Sequence, residues 1–306
     1  FIGESNAIQD VMELVGKAAR SPDTPILILG ETGTGKELIA KAIHYKSPNF
    51  KGPMVAVNCA AMPEELIESE LFGYEKGAFT GAERSGKEGL VEKAADGTLF
   101  LDEVADLSAE AQVKLLRFLD EGEYYRVGGT KKRTVKTRIV SATNRDLAAL
   151  VEDGQFRNDL YHRFAVVKLE VPSLCQRRDD IIPMAKHFLV EFNQKFGKSF
   201  TGISSDVEAA LNQFNWAGNV RELKNLIENG IKYNQSLIPR VLVKYRVENG
   251  QTTFTFKDNG MGIKADYHKK IFDMFSRLHS RNISGSGIGL YNVKIAVEKL
   301  NGEIEV

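Results

Sequence analysis

With 306 residues, of which 42% are hydrophobic and 27% charged, the chain has an ordinary soluble globular composition, long enough for two or three domains and a sizeable core. Lysine plus arginine and aspartate plus glutamate both number 41, so a formal net charge of zero excludes an overall basic footprint for nucleic acid and leaves only local patches. No apolar run reaches bilayer length, and the opening Phe1-Ile2-Gly3-Glu4-Ser5 lacks the charged start and apolar stretch of a signal peptide.

Strands and helices alternate through the first half. Residues 26–29 read as a short apolar strand, followed by a glycine-rich turn and a helix with Leu38, Ile39, Ala42 and Ile43 at helical spacing. Further strands are expected at 55–57, 98–101 and 138–142, with helices between them, including 109–120. This alternation predicts an α/β fold, a parallel sheet covered on both faces. From about 179 to 233 the pattern becomes helical (181–196, 206–214 and 220–233), with Ser204 or Ser205 as N-cap of the second helix. Beyond it, 241–247 and 252–256 alternate with period two around Glu248-Asn249-Gly250, a hairpin signal. Glycines then recur before a last helix through Leu300. Cys59 and Cys175 lack metal-ligand spacing and read as ordinary thiols of a reducing, cytoplasmic protein.

Gly30-Glu31-Thr32-Gly33-Thr34-Gly35-Lys36 follows the first strand and opens its helix. Glycines at this spacing let backbone N–H groups turn inward around phosphates, the helix start adds partial positive charge, and Lys36 can reach the outer phosphates. The general phosphate-loop pattern ends in Ser or Thr; Glu37 stands there instead, and on this segment alone a simple glycine-rich turn stays open. The strand 98–101 runs into Asp102 and Glu103. Beside a phosphate loop, such an Asp holds magnesium and the neighbouring Glu orients the attacking water. Asn144, after the strand 138–142, adds an amide at the same carboxyl edge, where open parallel sheets bind ligands.

Specific resemblance begins at Gly77-Ala78-Phe79-Thr80-Gly81-Ala82. This GAFTGA segment resembles the loop with which bacterial sigma-54-dependent transcription activators, AAA+ ATPases, touch the sigma factor. The segment 156–163 resembles that family's arginine-finger region, and Gly218-Asn219-Val220-Arg221-Glu222-Leu223 its sensor-two helix. The family also carries Glu after the loop lysine, which accounts for Glu37. The likeness, from Ile2 to about Ile227, implies a motor that binds ATP with Mg2+ on residues Gly30 to Glu37. It implies that Lys36 binds phosphate, Asp102 holds the metal, Glu103 activates water and Asn58 restrains Glu103 until the ring is engaged. Asn144 would sense the γ-phosphate and Arg221 would contact nucleotide from a helical lid. Arg157 and Arg163 would serve a neighbouring subunit of a ring, a hexamer by family habit. Partners implied are sigma-54 RNA polymerase and further copies of the chain, with no membrane. Cys175 and Gln176 stand where the family usually has Arg and Glu, so a charge pair near the lid is lost, and Ala217 stands where Pro is usual.

The C-terminal stretch resembles a second family, the histidine-kinase ATPase domain of the Bergerat fold. Residues 225–233 resemble its N box, with Asn229 as a metal ligand. Asp258-Asn259-Gly260-Met261-Gly262 resembles the first glycine box, with Asp258 accepting from adenine. Residues 271–275 resemble the F box, and Gly285-Ser286-Gly287-Ile288-Gly289-Leu290 the second glycine box. The expected division is an α/β nucleotide-binding subdomain over 1–172, a helical lid over 173–228 and a partial kinase-type ATPase sandwich over 229–306. The helix 220–233 serves both signatures, so a natural or engineered fusion is expected, and the ends look excised, without receiver or DNA-binding segments. Kinase-type signalling or a non-catalytic fusion are the alternatives to an ATP-driven remodeller.

Overall fold

The computed structural model describes residues 2–78, 85–232, 234, 241–248, 251–259, 262–273, 289–299 and 302–305. Phe79, Thr80, Gly81, Ala82, Gly260, Gly285 and Gly287, named above as site residues, lie outside them. The chain forms two compact units. One comprises Asp10–Glu31 and Gly35–Val171; the other comprises Phe1–Gln9, Thr32–Thr34 and Pro172–Val306.

The first unit is built on five parallel strands, β1 (Ile26–Leu29), β2 (Met54–Asn58), β3 (Thr98–Asp102), β4 (Arg138–Thr143) and β5 (Val167–Glu170), in the order β2-β3-β4-β1-β5. The apolar, buried runs of β1, β3 and β4, the inner strands, are what a sheet covered on both faces requires. All six residues of β4 are buried. Its first, Arg138, donates to the carbonyls of Ala18 at 2.7 Å and Ala19 at 3.1 Å. These end the helix α1 (Asn6–Ala19), where carbonyls lack partners and a cation is favoured. The helix α2 (Lys36–Lys46) follows β1, α3 (Glu64–Phe72) follows β2, and α4 (Ala109–Glu121) follows β3. The helix α4 is bounded by Ser108, whose hydroxyl accepts from the Ala111 N–H, and by Gly122 at φ 68°. Phe72, Phe118 and Tyr124 meet with ring centroids 6.0–6.4 Å apart, within a core that also holds Leu99, Leu101 and Phe164. A shallow cleft lined by Asp23, Lys51, Asp96 and Lys136 opens at the amino ends of the strands, the edge away from the phosphate loop.

The helix α5 (Asn158–Phe164) belongs to the first unit. In the second unit, α6 (Ile181–Phe196), α7 (Ser205–Gln213) and α8 (Asn219–Lys232) surround a core that holds Phe188, Phe192, Leu211, Trp216 and Leu223. A short 3-10 segment, Leu174–Asp180, precedes α6 and opens with a capping box in which Gln176 Oε1 accepts the Ser173 N–H at 2.9 Å. A glutamine fills that position as well as the glutamate usual in the resembled family. Asp180 is fully buried and accepts from the N–H groups of Glu4 and Ser5 and from the Ser5 hydroxyl, at 2.6–2.8 Å. Ser204 is the residue before α7, without a side-chain cap bond.

The antiparallel strands β6 (Val241–Glu248) and β7 (Gln251–Asp258) follow, with Phe254 set against Phe214 at 4.5 Å, and α9 spans Gly289–Lys299. Of the sandwich expected over 229–306, these are the regular sheet and helix found past α8 among the described residues. Among the described residues no helix is long and apolar enough to cross a membrane.

Candidate nucleotide site

The strand order sets the site. Since β4 lies between β1 and β3, the loop after β1, the acids ending β3 and the asparagine after β4 share one edge of the first unit. Gly33 at φ 81° and Gly35 at φ 101° give the loop its left-handed positions, which residues with a Cβ adopt at a cost. The Lys36 side chain, 7% exposed, donates to the carbonyls of Gly30 at 2.9 Å and Glu31 at 3.4 Å. Its ammonium also lies 3.8 Å from Glu103 Oε1.

Among the described residues Glu103 is one of three non-glycine residues with positive φ, at 53°. Such backbone is strained, and it persists where the surroundings over-determine it. Here it swings the carboxylate across the sheet edge, where Oε2 accepts the Asn144 N–H at 3.3 Å. Asp102 pairs in register with Asn58 of β2, and its Oδ1 accepts the Glu103 N–H at 3.1 Å. The negative field of this edge is felt by a neighbour. Burial, with Asp102, Asp106 and Glu103 nearby, pushes the Cys59 thiol up to about 12. That cysteine is therefore no nucleophile.

Magnesium takes oxygen ligands, commonly one or two carboxylates together with substrate phosphates, and keeps several waters. Asp102 at the end of β3, beside Lys36 and Glu103, fits that demand. Among the described residues no group of three or more His, Cys, Asp or Glu forms a protein-only cage.

Other expected residues are placed as follows. Asn58 Oδ1 accepts the Ala61 N–H at 3.2 Å, capping its own turn, and Glu103 is held by Lys36 and Asn144 instead. Glu37 pairs with Lys41 on an exposed helix face at 2.7 Å. Arg157 forks onto Asp159 at 2.7 and 3.0 Å, and Arg163 pairs with Asp120; all four side chains are exposed. Gly77 stands at φ 78° and the Ala78 N–H donates to the Glu75 carbonyl at 3.1 Å. Glu75 lies within an ionic cluster in which Arg126 grips Glu92 through two 2.9 Å bonds and Arg133 reaches both acids. Gly262 is at φ 68°, Asp258 closes β7, Asn229 lies on α8, and Gly289 opens α9.

In the second unit, Thr32, Gly33 and Thr34 meet residues from near the start of α8 and from the 3-10 segment before α6. Arg221 approaches through its backbone N–H, which donates to the Gly33 carbonyl at 3.3 Å. Asn219 and Arg177 also bond this loop tip. Neither was expected from the sequence as a site residue by its own contact, because 187 and 143 positions separate the bonded partners.

Comparison with known proteins agrees with this geometry. Residues 1–170 match the family model described as the sigma-54 interaction domain. Residues 175–251 match an AAA+ ATPase lid domain, and residues 220–306 match the histidine kinase-, DNA gyrase B- and HSP90-like ATPase. The chain is 48% identical over 238 residues to the regulatory protein AtoC of Escherichia coli, covering 78% of this chain and 51% of that protein. It is 48% identical over 225 residues to the DNA-binding transcriptional regulator NtrC of the same species, covering 74% and 48%. The chain thus spans about half the length of the curated relatives it matches. Among solved structures, NtrX from Brucella abortus in complex with ATP superposes with a TM-score of 0.70 at 38% identity, over 76% of this chain and 50% of that one. Hsp104 in a closed state, at 19% identity and a TM-score of 0.54 over 82% of this chain and 48% of that one, shares the fold. With a phosphate loop on β1, paired acids on β3 and a family match across more than half its residues, the chain belongs to the sigma-54 interaction domain family and has the AAA+ fold.

Proposed function

We propose that this chain is an ATP-hydrolysing motor that assembles into a ring and acts on sigma-54 RNA polymerase to promote transcription initiation. The observation that carries the reading is the convergence of Lys36, Glu103 and Asn144 at the carboxyl edge of one parallel sheet. The amides of the loop from Gly30 to Lys36 bind the triphosphate, with Lys36 on its outer oxygens. Magnesium, when bound, supplies charge neutralisation on the phosphates, and Asp102 is the residue to hold it. Glu103 accepts a proton from, and orients, the attacking water, while Asn144 sits beside the γ-phosphate. Asn58, beside Asp102 in register, restrains Glu103 in the unengaged state, a state other than the one in which Lys36 and Asn144 hold that carboxylate.

Arg157 and Arg163 complete the site of an adjacent copy. One guanidinium placed on the transferring phosphoryl group is worth roughly 10³ to 10⁵ in rate, so the isolated chain is nearly silent. The segment Gly77 to Ala82 is the element that meets sigma-54. NtrX, whose structure includes ATP, and NtrC, named as a transcriptional regulator, support the nucleotide and the process. We further take 1–172 as the nucleotide-binding subdomain and 173–228 as the lid. Residues 229–306 are a fused kinase-type ATPase segment that includes Asn229 and Asp258 and has no kinase activity of its own.

ATPase rate against protein concentration tests the reading. Specific activity should rise steeply as the ring forms, and Lys36→Ala should abolish it. Flat specific activity would argue against guanidiniums acting between subunits, and turnover lost in Asp258→Asn but retained in Lys36→Ala would place catalysis elsewhere.

A further inference from the structure

Three successive carbonyls at the tip of the phosphate loop are each held by a donor from the second unit, to which the tip itself belongs. Thr32 O accepts from Asn219 Nδ2 at 3.1 Å, Gly33 O from the Arg221 N–H at 3.3 Å, and Thr34 O from Arg177 Nη2 at 2.8 Å. A trans peptide is planar, so its carbonyl and the following N–H point opposite ways. Pinning these three oxygens on one side therefore turns the N–H groups of Gly33, Thr34 and Gly35 to the other, and a run of such amides forms an anion-binding nest.

We infer that Arg177 and Asn219 are positioning residues for the phosphates of ATP: they touch no nucleotide atom, but orient the amides that do. This rests on the phosphate loop being the ATP site.

The two residues are costly choices for any lesser role. The Arg177 side chain is 1% exposed, and its Nε and Nη1 are buried without a hydrogen-bond partner among the described residues. Burial lowers the pKa of this guanidinium, and only the nearby Asp180 pulls it back up. Apolar residues of similar volume are commonly as stable or more so at such a position, so packing does not explain an arginine there. Asn219 is fully buried at φ 53°, a conformation asparagine tolerates better than most residues. Its amide is bifunctional: Oδ1 accepts the Leu174 N–H at 2.7 Å while Nδ2 serves Thr32. The approach is also close. A Cβ on Gly33 would stand 2.3 Å from the Gly218 carbonyl oxygen.

The test is equilibrium binding of ATP with Mg2+ to the full chain, beside its melting temperature without nucleotide and its steady-state ATPase. Arg177→Met should retain the melting temperature, weaken ATP binding about 10-fold or more, and raise KM while leaving kcat at saturation near that of the unaltered chain. Arg177→Lys, which keeps a cationic donor, should recover most of the affinity. Asn219→Asp keeps the acceptor for Leu174 and turns a carboxylate oxygen toward Thr32, so it should also weaken binding. ATP affinity unchanged in Arg177→Met overturns the inference. If that variant does not fold, unchanged affinity in a folded Asn219→Asp chain overturns it equally. Failure of the unaltered chain to bind ATP, with Lys36→Ala indistinguishable from it, is a different result: it removes the nucleotide reading itself.

Discussion

Glu103 Oε1 and Lys36 Nζ stand 3.8 Å apart, a carboxylate and an ammonium drawn from opposite sides of β4. The other oxygen of Glu103 is held by the Asn144 N–H, so the carboxylate is placed before any phosphate arrives. Glu103→Gln keeps the size of the side chain and its acceptor but cannot take a proton. Hydrolysis should fall by about 10²–10⁴ while ATP affinity changes little. Single-turnover hydrolysis and nucleotide binding measured on the same sample check this; full activity would remove Glu103 from the chemistry.

Arg157 and Arg163 are exposed and paired with Asp159 and Asp120, and exposed ion pairs contribute only about 0–1 kcal/mol. Alanine at either position should hardly move the melting temperature, yet lower ATPase activity by roughly 10³ or more. Mixing Arg163→Ala with Lys36→Ala should restore part of the turnover, since one supplies the loop and the other the guanidinium. A mixture as inactive as its components would argue that the arginine acts within its own subunit.

Arg138 is fully buried and serves two carbonyls at the end of α1. Arg138→Ala leaves both oxygens without their donor and opens a cavity, costing about 3–5 kcal/mol in urea unfolding. Methionine refills the space and removes a buried charge, so Arg138→Met should regain a good part of the loss. Equal stability of the alanine variant and the unaltered chain would contradict the capping role.

Burial pushes the carboxyl of Glu222 up to about 7, opposed by a hydrogen bond from the Gly218 N–H. The folded chain therefore holds a proton that the unfolded chain has released, between the ordinary value of 4.5 and about 7. Stability from this group is present below that window and falls as pH rises through it. Glu222→Gln should flatten this slope and be the more stable form at pH 8, by a few kcal/mol at most, roughly. Thermal melts at pH 5 and pH 8 decide it; parallel shifts of both proteins would show that Glu222 does not titrate there.

The motifs that could be read in the sequence are those whose parts are adjacent along the chain. The segment Gly30 to Lys36 follows a strand and opens a helix, and Asp102 and Glu103 close one, so local pattern locates both. The strand Val167–Glu170 escaped because only Leu169 among its four residues is buried, leaving no apolar run. The helix Asn6–Ala19 is missing from the expected elements although Ile8, Val11, Val15 and Ala19 are buried at helical spacing; what its sequence does not carry is the remote partner of its end, Arg138. The contacts of Asn219 with Thr32 and Arg177 with Thr34 were illegible for the same reason. A single hydrogen bond across more than a hundred residues leaves no periodic trace. The placement of Asn58 shows the reverse: family likeness gave it a role toward Glu103, while its local chemistry makes it a cap for Cys59–Ala61.

The helix Asn219–Lys232 is a single unbroken rod of 14 residues, with Arg221 near one end and Asn229 near the other. Eight residues of α-helix advance about 12 Å and leave the second side chain roughly 80° around the axis from the first. One triphosphate thus cannot be gripped by both. Adding or deleting one residue between them would swivel Asn229 by about 100° relative to Arg221, so a splice through this rod preserves both faces only when it keeps the residue count.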